Sequence, residues 1–596
     1  MERVKPWFLG TLIASPIKQT DAATVVAALP TLKAGATGAA GVAGAAGAAG
    51  AMGAAGAADI DSLEISSLAY RSDAVQPGSL FFCIPGSKAD GHDFAADAKA
   101  RGAVALAVQR EVPVELPQIL FEDTRLALAL IAGRFYDNPA QGLCIAAVTG
   151  TNGKTTTTYL IDWICRFHLA RAQSISIDEA TGLAGLIGTV ETRVGATRLP
   201  SKFTTPESLD LQRLLADMRE AGLAHVCMEA SSHAIALHRI AGISFRVAAF
   251  TNLTQDHLDF HKTMEDYFEA KAKLFDSPLV EQRVIDIDTP AGEALVARCI
   301  QNGFEPLTCG CNPKAQIRAE DIRFNVTATS FMLHTPQGSI RLSYPLIGGF
   351  NVSNVLLATA TAMALGIPLQ DITDSLAQCL QIPGRLERVT VQGSVGADAA
   401  QPPISVFVDY SHTPDSITKA LEAIDQIKTN RTLIVFGCGG DRDATKRPLM
   451  GRAALEADFA LVTSDNPRTE DPQMIIADIL PGMAGGEGRF EVEPDRRRAI
   501  ARALELAQPG DCVLIAGKGH EDYQLVGDKV LDFDDRLVAA EELARLANAG
   551  HWPSTSQEAG HWHTASQEAS HWPTPSQEAG HLDVGSRDHG GGSPCS

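Results

Sequence analysis

The sequence predicts an α/β protein of three domains, and three observations carry that expectation. A short apolar strand runs into a glycine loop and then a helix at residues 144–164. Continuous apolar strands recur through the remainder, separated by helical stretches. The 596 residues exceed what one hydrophobic core accommodates. The first domain, to about residue 142, shows turn-then-strand punctuation, with Gln76-Pro77-Gly78 followed by Ser79-Leu80-Phe81-Phe82-Cys83-Ile84. Inside it every third residue from Gly35 to Gly56 is glycine, mostly with alanine between. That is the period of collagen without its proline, so residues 34–58 read as a disordered, flexible insert, with a weakly helical segment as the alternative.

The second domain, residues 143–383, opens with Cys144-Ile-Ala-Ala-Val-Thr-Gly-Thr-Asn-Gly-Lys-Thr-Thr156. A strand, glycines, a lysine, hydroxyls and a helix in that order let a backbone cradle nucleotide phosphates. Gly150 and Gly153 admit main-chain N–H groups close to the phosphate, with Thr151 and Asn152 between them. Lys154 supplies positive charge to the β- and γ-phosphates, and Thr155 or Thr156 an oxygen for Mg²⁺. The first glycine of the usual eight-residue loop falls at Val148, so this is a shortened relative of it. Two later strands end in Glu229-Ala-Ser-Ser-His233 and in Thr251-Asn-Leu-Thr-Gln-Asp-His257. In such a fold these ends lie beside the phosphate loop, making Glu229 and His257 candidates for holding Mg²⁺.

The third domain, residues 384–550, follows the break Pro383-Gly384. Its strands Val406–Val408, Leu433–Phe436, Phe459–Val462 and Val513–Ala516 are unbroken apolar runs, as in a Rossmann-like parallel sheet buried on both faces. They lead into Asp409-Tyr-Ser-His412, Gly439-Gly-Asp-Arg-Asp443, Asp465-Asn-Pro-Arg468 and Gly517-Lys-Gly-His-Glu521. Ligands bind beyond the carboxyl ends of such strands, so four charged clusters at one edge describe a site. Arg442 and Arg468 suit carboxylates bound bidentately, and Glu521 an ammonium, which points to a diacidic amino acid. Arg442 between Asp441 and Asp443 equally suits a structural ion network. From 551 to 596 a polar ten-residue repeat, restarting at His561 and His571, reads as a disordered tail.

The net charge of −21 excludes a broad basic face for nucleic acid or anionic membrane, but not a local pocket for small anions. No stretch reads as a membrane span, and the apolar run near Phe8 is too short, being interrupted at Gly10, for an export signal. Cysteines such as Cys83, Cys144, Cys227 and Cys512 sit singly in apolar runs, as buried thiols do in a reducing compartment, and a cytoplasmic location is expected.

Taken together these motifs resemble the Mur ligase family, ATP-dependent enzymes that add amino acids to the UDP-N-acetylmuramoyl peptide precursor of peptidoglycan. The resemblance covers residues 60 to 548. It rests on the loop 150–156, Glu229–His233, Thr251-Asn-Leu with Asp256-His-Leu-Asp259, Gly349-Phe-Asn-Val-Ser-Asn354, Pro383-Gly-Arg-Leu-Glu387 and Asp409–Asp415. Asp465-Asn-Pro-Arg468 looks like the signature of members that add meso-diaminopimelate; lysine-adding relatives differ there. The implied activity joins meso-2,6-diaminopimelate to UDP-N-acetylmuramoyl-L-alanyl-D-glutamate through an acyl phosphate, with Mg²⁺. The N-terminal domain would bind the UDP precursor, the central one ATP and the C-terminal one the amino acid.

Position by position, the resemblance implies that Ser72, Ser87, Lys88 and Ala89 hold the uridine-diphosphate end, and Thr204, Thr205, Ser231 and Arg239 the muramoyl-peptide. Asn351 and Asn354 would lie near adenine, with Arg385 and Asp409 close to the nucleotide. Arg442, Asp465, Asn466, Pro467, Arg468, Gly517 and Glu521 would bind diaminopimelate. Lys271 falls where the family carries a carbamylated lysine able to bind Mg²⁺, although its sequence context alone reads as a helix-surface lysine. Departures are Arg71-Ser72-Asp73, with charges exchanged about the serine, and Phe203 and Leu237 in place of amides. The small-molecule substrates imply no macromolecular partner, and a monomer is expected. The competing readings are a lysine-adding ligase, a catalytically silent precursor-binding protein and a plain nucleotidase.

Overall fold

Alternation of buried side chains across each strand determines which surfaces must be covered, and in this chain both faces of every central strand are apolar. The computed structural model describes residues 7–8, 63–86, 89–201, 203–390 and 403–551. The insert at 34–58, Ser87, Lys88 and the tail beyond His551 lie outside them.

The first sheet has four parallel strands in chain order: β1 (Ser67–Ala69), β2 (Ser79–Phe82), β3 (Ala103–Val108) and β4 (Gln118–Leu120). Leu80, Phe82, Ala105 and Ala107 face one core, and Phe81, Cys83, Leu106 and Val108 the other. Helix α1 (Ala95–Ala100) makes the β2–β3 crossover. Helix α2 (Thr124–Phe135) starts where the Asp123 carboxylate accepts from the N–H groups of Arg125 and Leu126.

The second sheet has eleven strands. They are β5 (Cys144–Thr149), β6 (Ala184–Ile187), β7 (Thr192–Val194), β8 (Thr197–Leu199), β9 (His225–Glu229), β10 (Phe245–Phe250), β11 (Val280–Asp286), β12 (Leu307–Gly310), β13 (Ile317–Phe324), β14 (Thr329–Thr335) and β15 (Gly338–Tyr344). Their order is β8-β7-β6-β9-β5-β10-β11-β12-β13-β14-β15. The run from β6 to β13 is parallel, and antiparallel strands finish both edges. Strand β5 lies between β9 and β10, so the ends of all three open on one place. Helices α3 (Lys154–Gln173), α4 (Met264–Asp276) and α5 (Gly349–Ala364) surround that place.

The third sheet contains β16 (Glu387–Arg388), β17 (Ser405–Asp409), β18 (Thr432–Phe436), β19 (Phe459–Val462), β20 (Phe490–Val492) and β21 (Cys512–Ala516), in the order β16-β17-β21-β18-β19-β20. Only the β16–β17 pairing is antiparallel. Phe407, Ile434, Phe436 and Leu514 enter one core while Val406, Val408, Leu433, Val435 and Ile515 enter the other, which is why these strands carry no polar alternation. A hairpin, β22 (Tyr523–Val526) with β23 (Lys529–Asp532), follows β21. No helix of the described residues is long and apolar enough to cross a membrane. Cys83, Cys227 and Cys512 are buried free thiols, and Cys144 is half-buried.

An ion pair beside the third sheet is wholly enclosed. The Arg496 guanidinium donates to both carboxylate oxygens of Asp535, at 2.8 and 2.7 Å, with neither side chain reaching solvent. Removing one partner strands a buried charge, so Arg496→Met is expected to destabilise the fold by about 3–5 kcal/mol. Adding Asp535→Leu should recover much of that loss, read as the shift in denaturant midpoint for each variant.

Candidate active site

The phosphate loop is braced from the neighbouring strand end. Gly150 and Gly153 have φ of 147° and 83°. A Cβ on Gly150 would lie 1.8 Å from Thr251 Oγ1, and one on Gly153 2.3 Å from Asn354 Oδ1, so only glycine fits at either place. Thr251 Oγ1 donates to Asn152 O (2.6 Å), and Asn152 N–H donates to Asn252 Oδ1 (3.0 Å). Lys154 Nζ curls over the loop to Gly150 O (3.0 Å) and Thr151 O (2.8 Å), and burial lowers its pKa. Thr156 is buried at the start of α3.

Thr155 Oγ1 donates to Glu229 Oε2 at 3.1 Å, so the predicted pair does meet. Thr189 completes the hold on Glu229, through its N–H to Oε1 (2.8 Å) and its hydroxyl to Oε2 (3.1 Å). These are hard oxygen donors, the kind Mg²⁺ selects. Lys271 is not the surface residue its sequence context suggests: it is 1 % exposed. Its Nζ donates to Gly150 O at 2.7 Å, the same carbonyl that Lys154 uses. Burial first, and then the Lys154 charge, push its pKa well below the ordinary lysine value. Burial thus disfavours the charged form of this amine. Its Nζ lies 4.5 Å from the Tyr267 ring centre, and the His257 ring packs edge-on to the same tyrosine at 6.1 Å. His257 Nδ1 is 3.5 Å from Asp256 Oδ1. Among the described residues no three His, Cys, Asp or Glu side chains group as a metal site. The oxygens of Thr155 and Glu229 fit such an ion, but need a further anionic donor.

Asn351 and Asn354 are buried on the first turns of α5 beneath Gly153. Asn354 accepts from Thr157 Oγ1 (3.3 Å) and donates to Asn351 Oδ1 (3.0 Å). From the third sheet, Arg385 Nη2 reaches Thr155 Oγ1 at 3.3 Å while its guanidinium covers the Tyr410 ring at 4.7 Å. Asp409 Oδ2 accepts from Leu386 N–H (2.7 Å), holding the Arg385 segment against the end of β17.

On the far side of Glu229, Thr205 Oγ1 donates to Glu229 O (2.8 Å) and accepts from Ser231 N–H (3.1 Å). Arg239 donates to Thr205 O (3.0 Å) and pairs with Glu207 at 2.7 Å. Thr204 and Thr189 share a hydroxyl contact of 2.9 Å, so four of the expected precursor residues adjoin the Glu229 site. Phe203 is 57 % exposed and lies under the Arg239 guanidinium, 5.3 Å from ring centre to Cζ. In the first domain a cleft of about 260 Å³ is lined by Tyr70, Ser72, Phe81, Ala89 and Phe94 among others. Arg71 and Asp73 pair with each other on its wall, so the exchanged charges neutralise locally.

The residues expected to bind the acceptor converge at the edge of the third sheet, Arg442 apart. Asn466 Nδ2 donates to Glu521 Oε2 (2.7 Å), and Leu525 N–H donates to Asn466 Oδ1 (2.9 Å). Arg468, at φ 53°, donates from Nη1 to Gly440 O (2.8 Å). Asp465 is buried with Oδ1 on Asn466 N–H (2.6 Å), and Pro467 O takes the N–H of Glu470 (3.1 Å). Gly517 N–H donates to Asp409 O (3.1 Å), joining this edge to the nucleotide side. Arg442 is the outlier: it is exposed and bonds the carbonyl of its own neighbour Asp441 (3.1 Å).

Two contributors escape a reading of the sequence: Thr189 and Tyr267. Thr189 belongs to no charged cluster, and Tyr267 sits in an ordinary amphipathic pattern. His520 also behaves unexpectedly. Burial, then the charges of Arg385, Arg536 and Lys518, lower its pKa to about 3. The unfolded chain takes up this proton near pH 6.5 and the folded one does not until about pH 3. Its contribution is therefore complete above pH 6.5 and falls by about 1.4 kcal/mol per pH unit below that. His520→Gln should flatten this part of the stability–pH curve measured by denaturation.

A phosphate loop, a braced carboxylate and lysine beside it, and an arginine-bearing acceptor edge on a separate sheet define an amide-forming, nucleotide-driven ligase architecture. Family models agree. Those described as "Mur ligase family, catalytic domain", "Mur ligase middle domain" and "Mur ligase, glutamate ligase domain" match residues 64–136, 148–362 and 384–519. The chain belongs to the Mur ligase family. A relative from Geobacillus thermodenitrificans, named UDP-N-acetylmuramoyl-L-alanyl-D-glutamate--2,6-diaminopimelate ligase, is 44% identical over 484 residues, 80% of this chain and 94% of its own. A protein of the same name from Gloeobacter violaceus is 45% identical over 497 residues, covering 83% and 96%. A solved structure of a ligase with that name superposes with a TM-score of 0.59 at 32% identity, covering 83% of this chain and 98% of the other.

Proposed function

We propose that this chain is the ATP-dependent ligase that joins meso-2,6-diaminopimelate to UDP-N-acetylmuramoyl-L-alanyl-D-glutamate. Residues 1–142 receive the UDP precursor, 143–383 the nucleotide and 384–550 the amino acid. The observation that carries this reading is the Arg385–Thr155 contact, which brings the acceptor sheet up to the phosphate loop. Loop N–H groups and Lys154 hold the phosphates. The precursor's terminal carboxylate, delivered past Thr205, Ser231 and Arg239, attacks the γ-phosphorus, and ADP departs. The amine of diaminopimelate then adds to the acyl phosphate, loses a proton, and the tetrahedral intermediate expels phosphate. Positioning and preorganised charge supply most of the acceleration.

Thr155, Glu229, His257 and Lys271 as a carbamate would hold Mg²⁺, which when bound neutralises phosphate charge. The depressed pKa of Lys271 supports that modification, since only the neutral amine adds CO₂. At the acceptor edge Arg468 takes the distal carboxylate and Glu521 an ammonium. A monomer acting in the cytoplasm, where ATP and a soluble UDP precursor meet, fits this reading.

The test is a mass spectrum of the product formed from the UDP-dipeptide, ATP and diaminopimelate, beside a reaction offered lysine. A diaminopimelate adduct with stoichiometric ADP supports the reading. Phosphate release without the precursor would mark a plain nucleotidase, and a lysine adduct alone would overturn the role of Arg468.

A further inference from the structure

Lys518 is fully buried, yet nothing in the reaction described so far uses it. It follows β21 by two residues, and its Nζ points along the acceptor edge. The ammonium lies 3.4 Å from Glu521 Oε2 and 3.5 Å from Asn466 Oδ1, and its third hydrogen bond goes to the Tyr523 carbonyl. Asn466 in turn bonds Glu521 Oε2 and the Leu525 N–H. Thus one cation, one amide and one carboxylate form a closed triangle, anchored to the β22–β23 hairpin on one side and to the end of β19 on the other.

Resting on the function proposed above, we propose that Lys518 is a positioning residue for the amino-acid acceptor: its buried ammonium orients Asn466 and Glu521 and keeps Glu521 a carboxylate able to receive the acceptor's ammonium. Glu521 needs such a partner. It is largely enclosed, and burial raises its pKa. Of the groups that face it, the Asp465 carboxylate raises it further, while Lys518 and the Asn466 amide lower it. Tyr410 and Tyr523 sense the Glu521 charge as neutral phenols, and Arg496 adds a more distant cation already paired with Asp535. Lys518 is the cation in direct contact. Without it, a protonated Glu521 would present a neutral acid to a cationic amine.

The experiment measures kcat and KM for diaminopimelate against pH in the wild-type chain, in Lys518→Met and in Lys518→Gln. Gln keeps hydrogen-bonding capacity without charge and serves if the Met variant does not fold. We expect KM for diaminopimelate to rise about tenfold or more, with KM for ATP and for the UDP-dipeptide within about twofold. The acid limb of kcat/KM for diaminopimelate should move up by about 1–3 pH units, because an opposite charge at this distance lowers a carboxyl pKa by that much. A merely structural loss would depress kcat/KM equally at every pH. An unmoved acid limb, or an unchanged KM for diaminopimelate, overturns the proposal. If the wild-type chain itself makes no diaminopimelate adduct, the reading of the function fails instead.

Discussion

Lysine in place of Arg468 is expected to lower kcat/KM for diaminopimelate by about 10³-fold while leaving KM for ATP within about twofold. The reason is geometric. A guanidinium presents donors in a planar fork that matches a carboxylate, whereas an ammonium offers a single centre. In the structure Arg468 is set by its backbone: its N–H bonds Leu525 O (3.0 Å) and its carbonyl takes the N–H of Gly527 (2.6 Å). Nη1 is engaged by Gly440 O, so the fork is aimed by the loop that follows β18. A shorter or rounder cation loses both the aim and the second bond. The measurement is steady-state kinetics with diaminopimelate and lysine as competing acceptors. Unchanged acceptor discrimination in Arg468→Lys would remove this residue from specificity.

Alanine at Lys154 acts on the chemical step itself: kcat is expected to fall by about 10²–10³-fold or more, with ADP and ligated product lost together. Lys154 Nζ lies on the two loop carbonyls that frame the phosphate seat, so its charge is in place before any nucleotide arrives. Such preorganisation is what makes a charge effective where water is excluded. Arginine should not restore the rate, because the space over Gly150 O is shared with Lys271 Nζ. Rapid-quench measurement of phosphate release separates this loss from an effect on product release. A variant that retains wild-type kcat would mean that the loop lysine is not part of the chemistry.

Much of this architecture is legible along the chain because it is local. The four central strands of the third sheet are unbroken apolar runs, as burial on both faces requires; Phe459–Val462 there and Phe245–Phe250 in the second sheet appear with the bounds their residues suggest. The phosphate loop is equally local, since its glycines answer to conformations of the loop itself. Helix starts follow the same rule: Thr413 and Pro414 begin a helix because a hydroxyl caps the turn and proline needs no N–H there.

Burial is different, for it depends on what distant segments bring. Lys271 lies on a helix whose pattern leaves it outside, and becomes enclosed because the phosphate loop, 121 residues earlier, folds over it. Lys518 is enclosed by the Asn466 loop and its own hairpin, and Thr189 meets the Glu229 carboxylate only because the chain returns to it 40 residues on. Arg442, prominent in a charged cluster, faces solvent instead. The amino-acid order thus determined the fold class, the phosphate loop and the strand ends at which chemistry occurs, because periodicity and backbone conformation are properties of neighbouring residues. Which charges are stripped of water there, and so which groups are driven off their ordinary pKa, was decided only when sheets 100 residues or more apart closed on one another, since desolvation is a property of the packed whole.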